Sequence, residues 1–107
     1  MGVIYGLECA RALAEDPETA HLAVDVASWT DEEATYFGML GSKSFCGLLD
    51  AATATQARCA GVTSEDGGVV IPEGDTLADA LARAGLSGRP RVQMAPGRYL
   101  GFFEALL

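Results

Sequence analysis

The chain has 107 residues, of which half are apolar and 21% are charged, and its formal net charge is −8. This composition excludes a disordered tail and a fibrous repeat, and the length predicts one domain. Seven basic residues stand against fifteen acidic ones, which argues against nucleic acid or an anionic membrane as a partner, because both bind through Lys and Arg.

The absence of membrane-spanning and signal-peptide patterns, together with the cysteine spacing, favours an intracellular environment. No apolar run reaches the roughly 18 residues that span a bilayer, and no signal-peptide pattern is seen, so we expect a soluble cytoplasmic protein. Cys9, Cys46 and Cys59 form an odd set without CxxC spacing, which indicates neither a disulfide framework nor a thiolate zinc site. We expect reduced thiols that are mostly buried.

The N-terminal segment predicts an amphipathic helix followed by a strand. Apolar residues recur at three- and four-residue spacing from Val3 to Ala14, and Pro17 should stop the helix near Glu15. Residues 21–28 alternate with a period of two, which predicts a strand. Small alanines on its second face favour a sheet covered by helices on both sides.

The central segment predicts a loop and two helices. Residues 29–42 combine an acidic turn with glycines, which is typical of a loop. A helix is expected to start at Ser42 or Ser44, and another to cover residues 51–60. Asp50 is well placed as the N-cap of the second helix.

The last third predicts a hairpin, a helix and a strand. Residues 65–68 have hairpin-turn chemistry, and apolar residues from Leu77 to Ala84 repeat at helical spacing behind the cap Thr76. Residues 99–103 are apolar on both faces, as in a buried strand. Such a strand needs other residues to cover it, so we expect that the covering segment is missing or that a partner supplies it.

The residues with the clearest chemical potential are Asp31, Glu32 and Glu33, which follow the predicted strand. Open α/β sheets bind ligands at the C-terminal ends of their strands. In an extended segment one carboxylate can coordinate a metal while its neighbour reaches the metal-bound water as a base. The alternative is a solvated acidic turn, since short acidic runs after strands are common.

Other reactive residues predict no comparable site. His21 lies about 11 residues before Glu32, too far along an extended strand to share an ion at roughly 3.3 Å per residue, so we expect it at the surface or at an edge of the sheet. Ser42 and Ser44 flank Lys43 but lack a nucleophile elbow and a nearby His. The glycines have no phosphate-loop spacing.

The order of these features resembles the N-carbamoyl-L-amino-acid hydrolases, to which allantoate amidohydrolases and ureidopropionases are similar. The matching segments are residues 2–8, 24–33, 39–42, 45–47, 75–86 and 99–105. The resemblance implies an internal part of the catalytic domain of a di-zinc, aminoacylase-like amidohydrolase. The expected fold is a single truncated α/β domain over residues 1–107, three-layer-like, with helices packed on a mostly parallel or mixed sheet.

The resemblance also implies roles for the acidic pair. Glu32 corresponds to the general base that activates a zinc-bound water, and Glu33 to a carboxylate ligand of the zinc. Hydroxide would then attack the ureido or amide carbon of an N-carbamoyl amino acid or allantoate, a C–N bond that is not a peptide bond.

The chain departs from the family pattern at both ends. The family's upstream His and metal-bridging Asp are absent, and its His-Ile-Glu-Gln-Gly segment is replaced after Ala105 by Leu106 and Leu107. A further His and the lid domain are also missing. Because a catalytic zinc takes about three protein ligands, we expect no tightly bound zinc and no hydrolysis by the chain alone.

Three interpretations stay open. In the first, the chain is an inactive fragment that self-associates as a homo-oligomer through its exposed strands. In the second, it is one part of a split hydrolase that a complementing chain completes. In the third, it is a non-enzymatic, acidic, homo-oligomeric binding module.

Overall fold

A computed structural model describes residues 1–105. Within this range the elements are, in chain order, α1 (Gly2–Glu15), α2 (Leu40–Phe45), α3 (Ala51–Gln56), β1 (Val62–Thr63), β2 (Val69–Ile71) and α4 (Leu77–Arg83). The chain divides into two compact units: the first consists of residues 1–28 with the segment that starts at residue 97, and the second consists of residues 29–96. The α/β class is confirmed.

The first unit contains α1, whose predicted end at Glu15 is confirmed. The next residue, Asp16, has extended backbone angles, as expected for a residue before proline. On the outer face Arg11 pairs with both Glu8 and Glu15. A Cβ added to Gly6 would lie 3.0 Å from Val26 Cγ1, so the segment around Val26 packs directly on the helix.

The two strands predicted in this unit are not formed among the described residues. Neither residues 21–28 nor residues 99–103 take part in a backbone ladder. The segments are tied by side chains instead, since the Tyr99 hydroxyl donates to Asp25 Oδ2 at 2.6 Å. A strand exists only where its backbone groups find a partner strand, and alternating hydrophobicity cannot supply that partner.

The second unit contains the sheet, which is a two-stranded antiparallel hairpin rather than the mostly parallel or mixed sheet that we expected. Val62 pairs with Ile71 and Thr63 with Val69, with an irregularity between the two pairs. The turn closes through the Ser64 amide, which donates to the Gly68 carbonyl at 2.8 Å. The predicted hairpin is thus confirmed, and the three-layer arrangement stays a prediction.

The core of the second unit is small. It consists of the buried side chains Leu40, Leu49, Ala57 and Leu77, against which Tyr36, Phe37 and Ala54 pack. Two of the helices that contribute to it, α3 and α4, start at side-chain caps, where Asp50 accepts from the Thr53 amide and Thr76 from the Asp79 amide. The predicted caps of α3 and α4 are therefore confirmed.

The bounds of the two central helices differ from the prediction. α2 begins at Leu40, ahead of Ser42, because the Leu40 side chain is buried in the core. α3 ends at Gln56 rather than at residue 60, because the chain then turns to pair with a later segment. Arg58 forms an isolated antiparallel bridge with Thr76, and these backbone bonds replace helical ones.

The cysteines are free thiols in two environments. Cys59 is buried, whereas Cys9 and Cys46 are exposed. The expectation of mostly buried thiols is therefore wrong for two of the three. Cys9 lies on α1, which buries no residue, and Cys46 is the C-cap of α2.

Within residues 1–105 no helix is both long and apolar enough to cross a membrane.

Candidate functional site

The predicted acidic residues lie in a loop that leads from Trp29 to α2, which we call the acidic loop (residues 30–39). Its backbone is unusual. The described non-glycine residues with positive φ are Asp31, Ala34 and Met39, at 54°, 66° and 60°, and all three lie in this loop. Left-handed backbone at residues with a Cβ costs free energy and persists only where surrounding contacts impose it.

The Asp31 carboxylate provides many of those contacts. It accepts hydrogen bonds from the backbone amides of Thr35 at 2.5 Å, Tyr36 at 2.8 Å and Phe37 at 2.9 Å. Partial burial raises the pKa of Asp31, but these amide hydrogen bonds lower it by more, so the pKa lies below its usual value. Asp31 therefore faces into the loop and organises its backbone.

The carbonyl groups of the loop are held by the start of α2. The amide of Gly41 donates to the Thr30 carbonyl at 2.8 Å, and that of Met39 donates to the Glu32 carbonyl at 3.2 Å. A Cβ added to Gly41 would lie 2.6 Å from the Thr30 nitrogen. Only glycine allows this approach of the two backbone segments.

A second set of contacts holds the loop from the side of α4. The Tyr36 hydroxyl donates to Asp75 Oδ2 at 2.6 Å, and Arg83 donates to both oxygens of the same carboxylate, at 2.9 and 2.5 Å. The Arg83 guanidinium, and then the Tyr36 hydroxyl, lower the pKa of Asp75 to about 2. The Asp75 carboxylate in turn raises the pKa of Tyr36.

Glu32 and Glu33, the predicted base and zinc ligand, are both exposed on this loop. Among residues 1–105 no three His, Cys, Asp or Glu side chains come close enough to hold a metal ion. The donors do not fit a catalytic zinc, which needs about three protein ligands. His21 is exposed, as expected.

The sequence did not reveal that Asp31 has a different role from Glu32 and Glu33. It grouped Asp31 with its acidic neighbours, whereas the structure gives Asp31 an internal role. An aspartate at the start of a turn often accepts hydrogen bonds from the backbone amides that follow it. The local sequence does not show, however, whether the Asp31 carboxylate accepts three such hydrogen bonds or none. Nor does any local pattern link Tyr36 to Asp75 and Arg83.

A cleft of about 250 Å³ in the first unit is lined by Ala23, Asp25, Arg98 and Tyr99. Its charged groups face each other, since both Tyr99 and Arg98 lie against the Asp25 carboxylate. The polar side chains of the cleft are therefore already paired with one another.

Comparison with known proteins gives consistent matches. Residues 1–72 match the sequence profile of peptidase family M28. The N-carbamoyl-L-amino acid amidohydrolase of Geobacillus stearothermophilus is 31% identical over 108 residues, which cover 97% of this chain and 23% of that protein. The crystal structure of an amidase of the hydantoinase/carbamoylase family from Burkholderia phymatum superposes with a TM-score of 0.66 and 46% identity, over 87% of this chain and 20% of that one. The chain thus spans about a fifth to a quarter of the length of these relatives.

Proposed function

Because the chain belongs to peptidase family M28 and is a relative of the hydantoinase/carbamoylase amidohydrolases, we propose that it is part of an amidohydrolase catalytic domain. The reaction of the assembled domain is hydrolysis of a C–N bond in an N-carbamoyl amino acid or allantoate. The chain alone is inactive and self-associates.

The observation that carries this proposal is the match of nearly the whole chain to these relatives, with the Asp31 carboxylate holding the loop that bears the two glutamates. In the proposal Glu32 is the general base and Glu33 a zinc ligand, and their exposure leaves both free to meet groups from another polypeptide. A zinc site needs several ligands for affinity. The described residues therefore support a partial site.

The apolar surface of the first unit supports the proposed self-association. Leu100 and Phe103 are each 106% exposed and Phe102 is 84% exposed, close to one another in sequence. Apolar residues contiguous at the surface mark sites where another surface is buried. In the proposal, identical chains bury these side chains against one another.

A split hydrolase, of which this chain is one part, is the second candidate. Nearly all of the chain aligns, yet about four fifths of the relatives' length is outside the match. A separate chain with the remaining ligands would then complete the site. The DNA that flanks the gene distinguishes this arrangement, because it would encode the upstream His/Asp segment and the downstream His-Ile-Glu-Gln-Gly.

The other expectations from the sequence remain predictions. They are the single three-layer domain, the cytoplasmic location, and the lack of nucleic-acid and membrane partners. No observation favours the acidic binding module.

A calorimetric titration of zinc into chelator-treated protein at neutral pH tests the proposed function. We expect weak binding that is reduced by Glu33→Ala and unchanged by Glu65→Ala, a matched exposed carboxylate in the hairpin turn. Tight zinc binding that depends on Glu33 would contradict the proposal that the chain alone is inactive, since self-association of the chain would then have rebuilt a metal site. Binding that does not depend on Glu33 would remove its role as a ligand.

A further inference from the structure

We propose that Asp31 and the Asp75–Tyr36 pair are positioning residues, which together fix the backbone that carries Glu32 and Glu33. The roles of Glu32 and Glu33 come from the proposed function. The positioning itself rests on contacts that those two side chains do not make.

Within the acidic run, Asp31 has a different role from Glu32 and Glu33. Asp31 uses both carboxylate oxygens, with Oδ1 accepting from Thr35 and Oδ2 from Tyr36 and Phe37. These bonds close the chain around Glu32, Glu33 and Ala34. A charged acceptor of several amide hydrogen bonds makes a strong local constraint, so Asp31 sets the path of the backbone while its neighbours stay exposed.

Tyr36 takes part in both sets of contacts that hold the acidic loop. Its amide donates to Asp31 and its hydroxyl donates to Asp75, so one residue joins the inside of the loop to a distant part of the unit. The Asp75 side chain is only 9% exposed and is paired with Arg83 on α4. The loop is thereby anchored to a helix that contains none of the predicted site residues.

The backbone that flanks the two glutamates is strained. Asp31 and Ala34 have positive φ on either side of the two glutamates. Such backbone relaxes when the contacts that impose it are lost. Removing the Asp31 carboxylate or the Tyr36 hydroxyl should therefore move Glu32 and Glu33 without altering their own chemistry.

Amide hydrogen exchange of the full-length, ¹⁵N-labelled chain tests the inference. Asp31→Ala should speed exchange at Thr35, Tyr36 and Phe37 about tenfold or more relative to the α4 amides. Asp31→Asn is the informative conservative variant, because an amide side chain has a single acceptor oxygen. It should protect either Thr35 or the Tyr36 and Phe37 pair, but not both, a split that general destabilisation does not produce.

Matched variants serve as controls. Asp50→Ala removes a comparable cap, whose carboxylate accepts from Thr53, and it should affect the start of α3 alone. Tyr36→Phe should shift the Glu32 and Glu33 amide resonances, whereas Tyr99→Phe, which removes a hydroxyl bonded to Asp25, should not. If Asp31→Ala does not fold, Asp31→Asn and Tyr36→Phe decide the question.

Two results would overturn the inference. One is unchanged exchange at Thr35, Tyr36 and Phe37 in both Asp31 variants, and the other is unmoved Glu32 and Glu33 resonances in Tyr36→Phe. Paramagnetic broadening by added Mn²⁺ tests the proposed function separately. A wild-type chain without broadening at Glu33 would reject its role as a metal ligand while leaving the exchange results in force.

Discussion

Gly41 lies where the start of α2 crosses the backbone of Thr30. A built Cβ there would be 2.6 Å from the Thr30 nitrogen and 3.0 Å from its oxygen. Both neighbours are backbone atoms, so they cannot move aside as a flexible side chain would. The small size of this residue therefore decides whether the acidic loop can close.

We predict that Gly41→Ala destabilises the chain by about 1–3 kcal/mol, the usual cost of forcing extra atoms into a packed site. Urea denaturation followed by circular dichroism measures the change. Gly38→Ala is the control in the same loop, because its Cβ would lie 3.6 Å from the Ala34 Cβ, an ordinary contact. Equal effects of the two substitutions would show that the close approach to Thr30 is not the cause.

The Asp75 carboxylate makes stability depend on pH at the acidic end. Its pKa is lowered from 3.8 to about 2 by Arg83 and Tyr36. A lowered pKa means that the unfolded state binds protons first, so the stabilisation is present above the unfolded pKa and is lost as pH falls through the folded one.

We therefore predict that the difference in unfolding free energy between wild type and Asp75→Asn is constant near neutral pH and becomes smaller as the pH falls from about 4 to 2. Thermal or urea unfolding at a series of pH values provides the measurement. Other carboxylates titrate in both proteins, so the difference isolates Asp75. A gap that persists unchanged at pH 2 would contradict the assigned pairing with Arg83.

The helices of the second unit are short and depend on their ends. α4 has seven residues and begins at Thr76, whose hydroxyl oxygen accepts from the Asp79 amide at 3.0 Å. Isolated helices of this length are unstable in water. Capping and the burial of Leu77 are therefore what keep α4 formed.

We predict that Thr76→Ala costs about 1 kcal/mol of unfolding free energy, the typical value for loss of an N-cap. Thr55→Ala is the matched control on α3, because the Thr55 hydroxyl bonds only to the carbonyl of Ala51 within its own helix. That variant should be close to neutral, since alanine is the better helix former. A Thr76 variant as stable as the Thr55 variant would refute the capping argument.

The protein as a whole combines a small core with a large apolar surface. The described buried side chains of the core are all of modest size, whereas Leu100, Phe102 and Phe103 extend into solvent in the first unit. Burying such side chains in an interface is favourable by roughly 1.5–3 kcal/mol for each residue that becomes fully buried. This surface is the basis of the proposed self-association.

We predict that light scattering finds the wild-type chain in an assembly larger than a monomer, and that the double variant Phe102→Ser/Phe103→Ser lowers its mean mass. Leu48→Ser is the control, because Leu48 is 76% exposed but lies in the other unit. A monodisperse wild-type monomer would reject self-association, and an equal effect of Leu48→Ser would reject the assigned surface.

The sequence by itself determined the features that depend on residues within a few positions of one another. α1 and its end before Pro17, the capped starts of α3 and α4, and the hairpin at residues 62–71 all follow from periodicity, caps and turn residues. The relationship to the hydantoinase/carbamoylase amidohydrolases was also predicted from the order of motifs along the chain, and the comparisons confirm it.

Only the tertiary structure decided which distant groups meet. Residues 99–103 have the composition of a strand but no partner ladder in the described chain, and strand formation requires one. Tyr36 and Asp75 are 39 positions apart, and Tyr36 and Arg83 are 47 apart. The internal role of Asp31 likewise depends on a backbone path held by those contacts. Local patterns carry no information about such pairings, because the free energy that selects them comes from packing the whole unit.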